Sequence, residues 1–115
     1  MTYRQFLLIL LVVAAISTGQ MLFKHTAGIL NSATNGAWAL LNPYLISALV
    51  IYGGATIAWI YLLREVPLTI AYPLFALSFL FVPLLSTIIF REPFTLKMVL
   101  GSLFIVLGVF MFNLT

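Results

Sequence analysis

Three polar side chains lie on one face of the most N-terminal apolar segment. Ser17, Gln20 and Lys24 are spaced i, i+3 and i+7, so an α-helix brings them into one stripe. Polar side chains within a membrane span usually face the bundle interior, where they mark substrate pathways. Lys24 at the end of the stripe is therefore predicted to bind an anionic headgroup such as a phosphate, with Gln20 beside it. The alternative is that Lys24 only extends to the lipid headgroups, next to His25.

A second candidate site surrounds two prolines of a later apolar segment. Pro73 and Pro83 each lack an N–H, so each leaves the carbonyl four residues earlier without its helical donor. Free carbonyls at membrane depth are tolerated beside protein or a wet cavity, and broken helices form the binding sites of transporters. The pattern favours a substrate cavity lined by Tyr72 and Phe75. The alternative is a kink that is satisfied within the bundle.

The sequence offers few groups for catalysis or metal binding. Its 115 residues include no cysteine, one histidine and two acidic residues, Glu65 and Glu92. Both carboxylates lie at the boundaries of apolar segments, so none lies inside a span to couple transport to protons. No carboxylate pair, nucleophile with a histidine and aspartate, or glycine-rich phosphate loop is present. These absences argue against an enzyme, and no metal or cofactor is expected.

The composition requires a lipid environment. Of the residues, 64% are hydrophobic and 6% are charged, and the mean hydropathy is +1.25, whereas soluble domains carry about 25% charged residues. A soluble globule and a disordered chain are both excluded. The net charge of +3 comes from scattered residues and gives no footprint for nucleic acid. The chain is predicted to be an all-α integral membrane protein with one membrane domain, residues 1–115.

Charged residues divide the chain into apolar runs that set the number of spans. A spanning helix needs about 20 residues. This criterion predicts four helices, near residues 5–23, 43–63, 67–90 and 96–113. The stretch from Asn31 to Gly36 has the composition of a loop. Asn42 and Pro43 predict the start of the second helix, as N-cap and first helical residue.

The last predicted helix carries two glycines on one face. Gly101 and Gly108 are seven residues apart, and small residues let helix backbones approach closely in lipid. This face is predicted to be a helix interface, either with a second subunit or within the bundle. Four helices leave little room for an enclosed cavity, so a dimer is expected. The basic residues divide two against three between the two membrane faces, which leaves the orientation undetermined.

Three segments of the chain together resemble a known family. They are Gly19-Gln20-Met21-Leu22-Phe23-Lys24, then Val66-Pro67-Leu68-Thr69-Ile70-Ala71-Tyr72-Pro73-Leu74, then Arg91-Glu92-Pro93 ahead of Gly101 and Gly108. In this order they resemble the drug/metabolite transporter superfamily, in its four-helix, small-multidrug-resistance-like and EamA-like branch. They look most like the aminoarabinose–undecaprenyl-phosphate flippase subunits. The resemblance covers nearly the whole chain.

The resemblance implies a flippase-like transporter subunit in the bacterial inner membrane. Its substrate would be a lipid-linked or amphipathic anion, such as an undecaprenyl-phosphate-linked compound, and it would act as a homodimer or as a heterodimer with a similar small subunit. Tyr72 matches the substrate-facing tyrosine of small multidrug exporters, and Gly101 and Gly108 match their dimer motif. Those exporters carry a glutamate eight residues before the lysine, where this chain has Ile16. An exporter of cations and a membrane assembly subunit that transports nothing remain as alternatives.

Overall fold

The computed structural model describes residues 2–32, 36–112 and 114, and every regular element within those ranges is helical. The helices are α1 (Tyr3–Ser32), a short 3-10 helix (Gly36–Leu40), α2 (Pro43–Leu63), α3 (Leu68–Phe75), α4 (Ser78–Phe90) and α5 (Leu96–Phe112). The predicted all-α fold is confirmed. Together, α3 and α4 occupy the third predicted helix.

The first helix is longer than predicted, because it continues past Lys24 for two more turns. The prediction ended the helix before Lys24, the charged residue that closes the first apolar run. Lysine is a good helix former, however, and does not terminate a helix. The His25 ring packs against Tyr44 of α2, with ring centroids 4.1 Å apart. Asn31 and Ser32, predicted as loop, are helical, while residues 33–35 of that predicted loop lie outside the described residues.

The starts of α2 and α5 follow from their capping residues. The Asn42 side chain accepts a hydrogen bond from the Leu45 N–H at 3.0 Å, and Pro43 occupies the first helical position, as predicted. Thr95 plays the same part for α5, because its hydroxyl accepts from the Met98 N–H at 3.4 Å. The predicted end of the fourth helix, at residue 113, lies outside the described residues.

Helix lengths make the chain a multi-pass membrane protein. Within the described residues, three helical segments are long and apolar enough to cross a membrane: Tyr3–Ser32, Pro43–Leu63 and Leu68–Phe90. The apolar helix α5 has 17 residues, a length of about 26 Å. That length is at the short end of the range for membrane-spanning helices.

The helices form an open layer whose core lies towards one end. The principal extents are 53 × 36 × 17 Å, so the molecule is about twice as wide as it is thick. Buried apolar residues of α1, α2, the α2–α3 connection, α3 and α5 form one cluster: Ile9, Val13, Leu62, Val66, Ala71, Leu74 and Val109. At the same end, the Gln5 side-chain amide donates to the Glu65 carboxylate at 2.9 Å. Along α5, Val109 is the buried residue among those described.

Gly19 lets α1 and α2 approach closely. The ring of Tyr52 in α2 lies directly against the Gly19 backbone, and it stacks on Phe23 one turn further along α1, with centroids 5.1 Å apart. A Cβ at position 19 would lie 2.7 Å from Cδ2 of Tyr52 and would overlap the neighbouring ring carbon. A side chain at this crossing therefore forces the Tyr52 ring or one of the two helices to shift.

We expect Gly19→Ala to destabilise the chain by about 1–3 kcal/mol, because the ring or the helix must move to accommodate the methyl group. Gly28→Ala is the matched control, since it lies in the same helix and a Cβ there meets nothing within 4 Å. That control should be neutral or slightly stabilising. Equilibrium unfolding in mixed micelles, followed by circular dichroism, measures both. Equal stability of the two variants would show that the Gly19–Tyr52 contact is not close in the folded protein.

Candidate substrate site

The third predicted helix is interrupted at Ala76 and Leu77, between its two prolines. The Ala76 N–H donates to the Pro73 carbonyl at 3.0 Å and the Leu77 N–H to the Leu74 carbonyl at 3.1 Å, so tight i→i−3 bonds replace the α-helical pattern. Pro73 has no N–H to give to the preceding turn, which loosens the helix just before this point. The segment Leu68–Phe90 is still long and apolar enough for one span, and the disturbance lies between Pro73 and Pro83, the two prolines that the sequence pattern singled out.

Two cavities flank this interruption. The first, here called the α1-side cavity, has a volume of about 450 Å³ and includes Ile16, Gln20 and Tyr52 in its lining. The second, the α5-side cavity, has a volume of about 430 Å³ and includes Tyr72 and Gly108. Three residues around the break line both cavities: Phe75, Ser78 and Phe79. The interrupted helix therefore separates two mostly apolar spaces.

Gln20 supplies polar character to the α1-side cavity. The substrate-binding role predicted for Gln20 stays a prediction. Its side-chain amide donates to the Tyr52 hydroxyl across the α1–α2 contact. Sequence analysis missed Tyr52. The available signal was a tyrosine in the middle of a predicted span that needed a polar partner, with Gln20 and Gly19 on the neighbouring helix.

Tyr72 and Phe75 lie together beside the break. Their rings are stacked, with centroids 5.8 Å apart and nearly parallel planes. Phe75 also meets the edge of Trp59 in α2 at 5.3 Å, which holds the ring between α2 and the two cavities. Tyr72 is 63% exposed and lines the α5-side cavity. The substrate-facing roles predicted for both residues stay predictions.

Ser17 differs from the other members of the polar stripe. Its side chain is fully buried, and its hydroxyl donates to the Val13 carbonyl of the preceding turn at 2.7 Å. A ligand in the α1-side cavity does not reach this hydroxyl in the observed conformation. The substrate-binding role predicted for Ser17 stays a prediction.

Lys24 lies one turn beyond Gln20 on α1, outside the lining of the α1-side cavity, and its ammonium group pairs with Glu92. The surface formed by Lys24 and Glu92 is here called the rim. The Nζ atom is 3.8 Å from Oε1 of Glu92, in the α4–α5 connection, and the two side chains are 58% and 44% exposed. An ion pair this exposed contributes about 0–1 kcal/mol to stability. Lys24 also lines a shallow cavity of about 370 Å³ at the end of α1, together with His25 and Phe90. Its ammonium is therefore accessible to a ligand.

Glu92 is held in place by the end of α4. Its Oε2 atom accepts a hydrogen bond from the Ser86 hydroxyl at 2.6 Å. The preceding residue, Arg91, has a left-handed backbone with φ of 55°, a conformation that favours glycine. This turn brings the carboxylate back beside the last turns of α4. Sequence analysis placed Glu92 only at a membrane boundary, because its pairing depends on the path of this connection.

Gly101 and Gly108 both face open space. A Cβ at either position meets no atom within 4 Å, and Gly108 lines the α5-side cavity. Packing within the described part of the chain therefore does not require glycine at either position. Their predicted role as an interface with a second subunit stays a prediction.

The described residues contain no group of three histidine, cysteine or acidic side chains that could hold a metal ion. The site instead combines an apolar cavity, an amide–phenol pair that lines it, and an accessible ion pair one helical turn further along α1. Such a combination is suited to an amphipathic molecule, because the cavity can cover an apolar chain while the rim binds charged groups.

The chain is similar to known membrane transport proteins. The chain matches the model described as the EamA-like transporter family over residues 1–114. It is 41% identical over 106 residues to a protein of Sodalis glossinidius (strain morsitans), and the aligned region covers 90% of this chain and 92% of that protein. A protein of Aeromonas salmonicida (strain A449) is 33% identical over 103 residues, with 89% and 90% covered. Both carry the name probable 4-amino-4-deoxy-L-arabinose-phosphoundecaprenol flippase subunit ArnE. No solved structure matches the chain.

Proposed function

Because the chain belongs to the EamA-like transporter family, we propose that this flippase-like transporter subunit translocates an undecaprenyl-phosphate-linked aminosugar across the bacterial inner membrane. The similarity to the relatives named as flippase subunits extends over nearly the full length of this chain and of each relative. The substrate is an amphipathic lipid with a phosphate next to its sugar. Its partners other than proteins are then membrane lipid and this lipid-linked substrate.

The observation that carries the proposal is the line of polar groups on α1. Lys24 lies at the rim and Gln20 lies about 6 Å deeper along the helix axis, inside the α1-side cavity. A headgroup passing through the bilayer needs polar partners, because an unpaired polar group costs several kcal/mol in hydrocarbon. We propose that Lys24 binds the phosphate first and that Gln20 and Tyr52 offer the next polar contacts.

The broken helix supports the other half of the proposal. The interruption at Ala76 and Leu77 lies where the two cavities meet, with Phe75 lining both. The walls are mostly apolar and aromatic, which suits a polyprenyl chain. Discontinuous helices of this kind surround the substrate in other transporters.

A second subunit is part of the proposal. The helices form an open layer, and both cavities open to the outside of the chain, so a single copy does not enclose a headgroup. A similar small subunit, packed partly through the Gly101 and Gly108 face of α5, would close them. The chain is then half of a homodimer or heterodimer.

The residue at position 16 argues against proton-coupled export of cations. Ile16 lines the α1-side cavity at the position where the small multidrug exporters carry their functional glutamate. An isoleucine binds neither a proton nor a cation. Glu65 and Glu92, the two acidic residues, lie in the connections between helices.

Native mass spectrometry from mild detergent tests the proposal. We expect a dimer that retains a polyprenyl-phosphate lipid when the chain is produced in bacteria that make the aminosugar lipid. The bound polyprenyl-phosphate lipid should be absent when the chain is produced in bacteria that do not synthesise the aminosugar lipid. A monomer that retains only bulk phospholipid, or proton-driven ethidium uptake by proteoliposomes, would contradict it.

A further inference from the structure

We infer that Glu92 is a specificity residue, which recognises the ammonium group of a zwitterionic lipid headgroup while Lys24 binds its phosphate. This inference rests on the proposed function and adds that Glu92 recognises the amine of the headgroup. The chemistry shared by such headgroups is one phosphate and one amine. An amino-deoxy sugar attached through a phosphate has both.

The pair at the rim is loose enough to exchange partners. The separation of 3.8 Å between Lys24 Nζ and Glu92 Oε1 exceeds a hydrogen-bond length, and both side chains are about half exposed. An ion pair with this exposure holds the two segments together only weakly. The donors of Lys24 and one carboxylate oxygen of Glu92 are therefore available to a ligand.

Glu92 is positioned more firmly than its exposure suggests. The Ser86 hydroxyl donates to Oε2 at 2.6 Å, and Ser86 itself is buried in α4. The left-handed conformation of Arg91 is unusual for a residue with a side chain, and such conformations often occur at functional sites. The hydrogen bond and the turn together direct Oε1 towards Lys24 and leave Oε2 engaged.

Exchange of partners gives selectivity for a headgroup with an amine. When Lys24 turns to a phosphate, Glu92 loses its cation and its Oε1 atom becomes free to pair with another. A headgroup that brings its own ammonium group restores the pairing, so all four charges remain matched. A headgroup with phosphate alone does not. The rim therefore selects against undecaprenyl phosphate without its aminosugar.

Lipid binding to the full chain, reconstituted with its second subunit in phosphatidylcholine nanodiscs, tests this inference. The probes are undecaprenyl phosphate and undecaprenyl phosphate carrying 4-amino-4-deoxy-arabinose, compared for the wild type and for Glu92→Gln. The wild type should prefer the aminosugar lipid, and Glu92→Gln should reduce that preference by about two- to fivefold, the contribution of one half-exposed ion pair. Glu65→Gln is the matched control. It removes the carboxylate that follows Arg64 in the α2–α3 connection, as Glu92 follows Arg91 in the α4–α5 connection, and it should leave the preference unchanged.

The possible outcomes separate the two proposals. A wild type that binds both lipids equally, or a Glu92→Gln variant that keeps the full preference, overturns the inference but not the proposed function. A wild type that binds neither lipid overturns both. Phosphatidylethanolamine also carries a phosphate and an amine, so the measurement is repeated with that lipid in the nanodisc. Persistence of the preference supports the aminosugar lipid as the source of the headgroup. Its complete loss supports recognition of a phosphate and an amine by Lys24 and Glu92, but assigns these residues to phosphatidylethanolamine.

Discussion

Replacing Lys24 by alanine should weaken binding of the undecaprenyl-phosphate-linked aminosugar by about ten- to a hundredfold. Charge-assisted hydrogen bonds contribute about 1.5–3 kcal/mol, and the Lys24 ammonium group, which lines the shallow cavity at the end of α1, is the group proposed to bind the phosphate. Lys24→Arg should retain part of the affinity, because it keeps the charge but replaces a compact ammonium with a planar fork. Lipid binding in nanodiscs, followed by native mass spectrometry, gives the three affinities.

Lys97→Ala is the control for this prediction. Lys97 lies in the first turn of α5, in the segment that follows Glu92, so its removal changes the charge at the same end of the molecule by the same amount. A general attraction between basic residues and anionic lipid would make the two alanine variants equivalent. Full lipid binding by Lys24→Ala would show that Lys24 only extends to the headgroups.

Replacing Gly101 and Gly108 together by leucine should weaken subunit association by more than tenfold, or about 1.4 kcal/mol. Both positions are exposed on α5, with open space where a side chain would lie. Within the single chain, a Cβ at either position meets no atom within 4 Å. At a helix–helix interface in lipid, where close backbone packing drives association, the two leucines would hold the helices apart. Crosslinking yield in membranes and single-molecule photobleaching both report the association.

Gly53→Leu provides the matched control, since Gly53 is also a helical glycine with open space around it, but lies on α2. It should leave the dimer intact if α5 forms the interface. An unchanged dimer yield in the Gly101→Leu, Gly108→Leu double variant would remove α5 from the interface. The wild-type protein in the same membranes sets the reference yield.

The fold was largely predictable from sequence because the bilayer restricts it so strongly. Long apolar runs between charges leave helices as the structure that satisfies the backbone in lipid. The capping chemistry of Asn42 and Pro43 placed the start of α2 correctly. The end of α1 was not predictable by the same rule, because Lys24 and His25 are compatible with a helix and a contact with Tyr44 accompanies its continuation.

The candidate site was predictable only in part. Helical spacing placed Gln20 and Lys24 on one stripe, and both have side chains that line cavities. The same spacing included Ser17, whose burial depends on how tightly the other helices cover that turn of α1. The partners Tyr52 and Glu92 come from other helices and connections. Their identity depends on tertiary packing, which periodicity along one segment does not determine.

Translocation of the lipid in proteoliposomes tests the central claim most directly. Vesicles carry undecaprenyl phosphate-linked 4-amino-4-deoxy-arabinose, and an amine-reactive reagent that does not cross the membrane labels only the outer leaflet. With the chain and its second subunit reconstituted, we expect labelling to proceed beyond the outer-leaflet fraction, and Lys24→Ala to slow this second phase. Labelling that stops at the outer-leaflet fraction, as in protein-free vesicles, would contradict the assignment of this chain as a flippase subunit for that lipid.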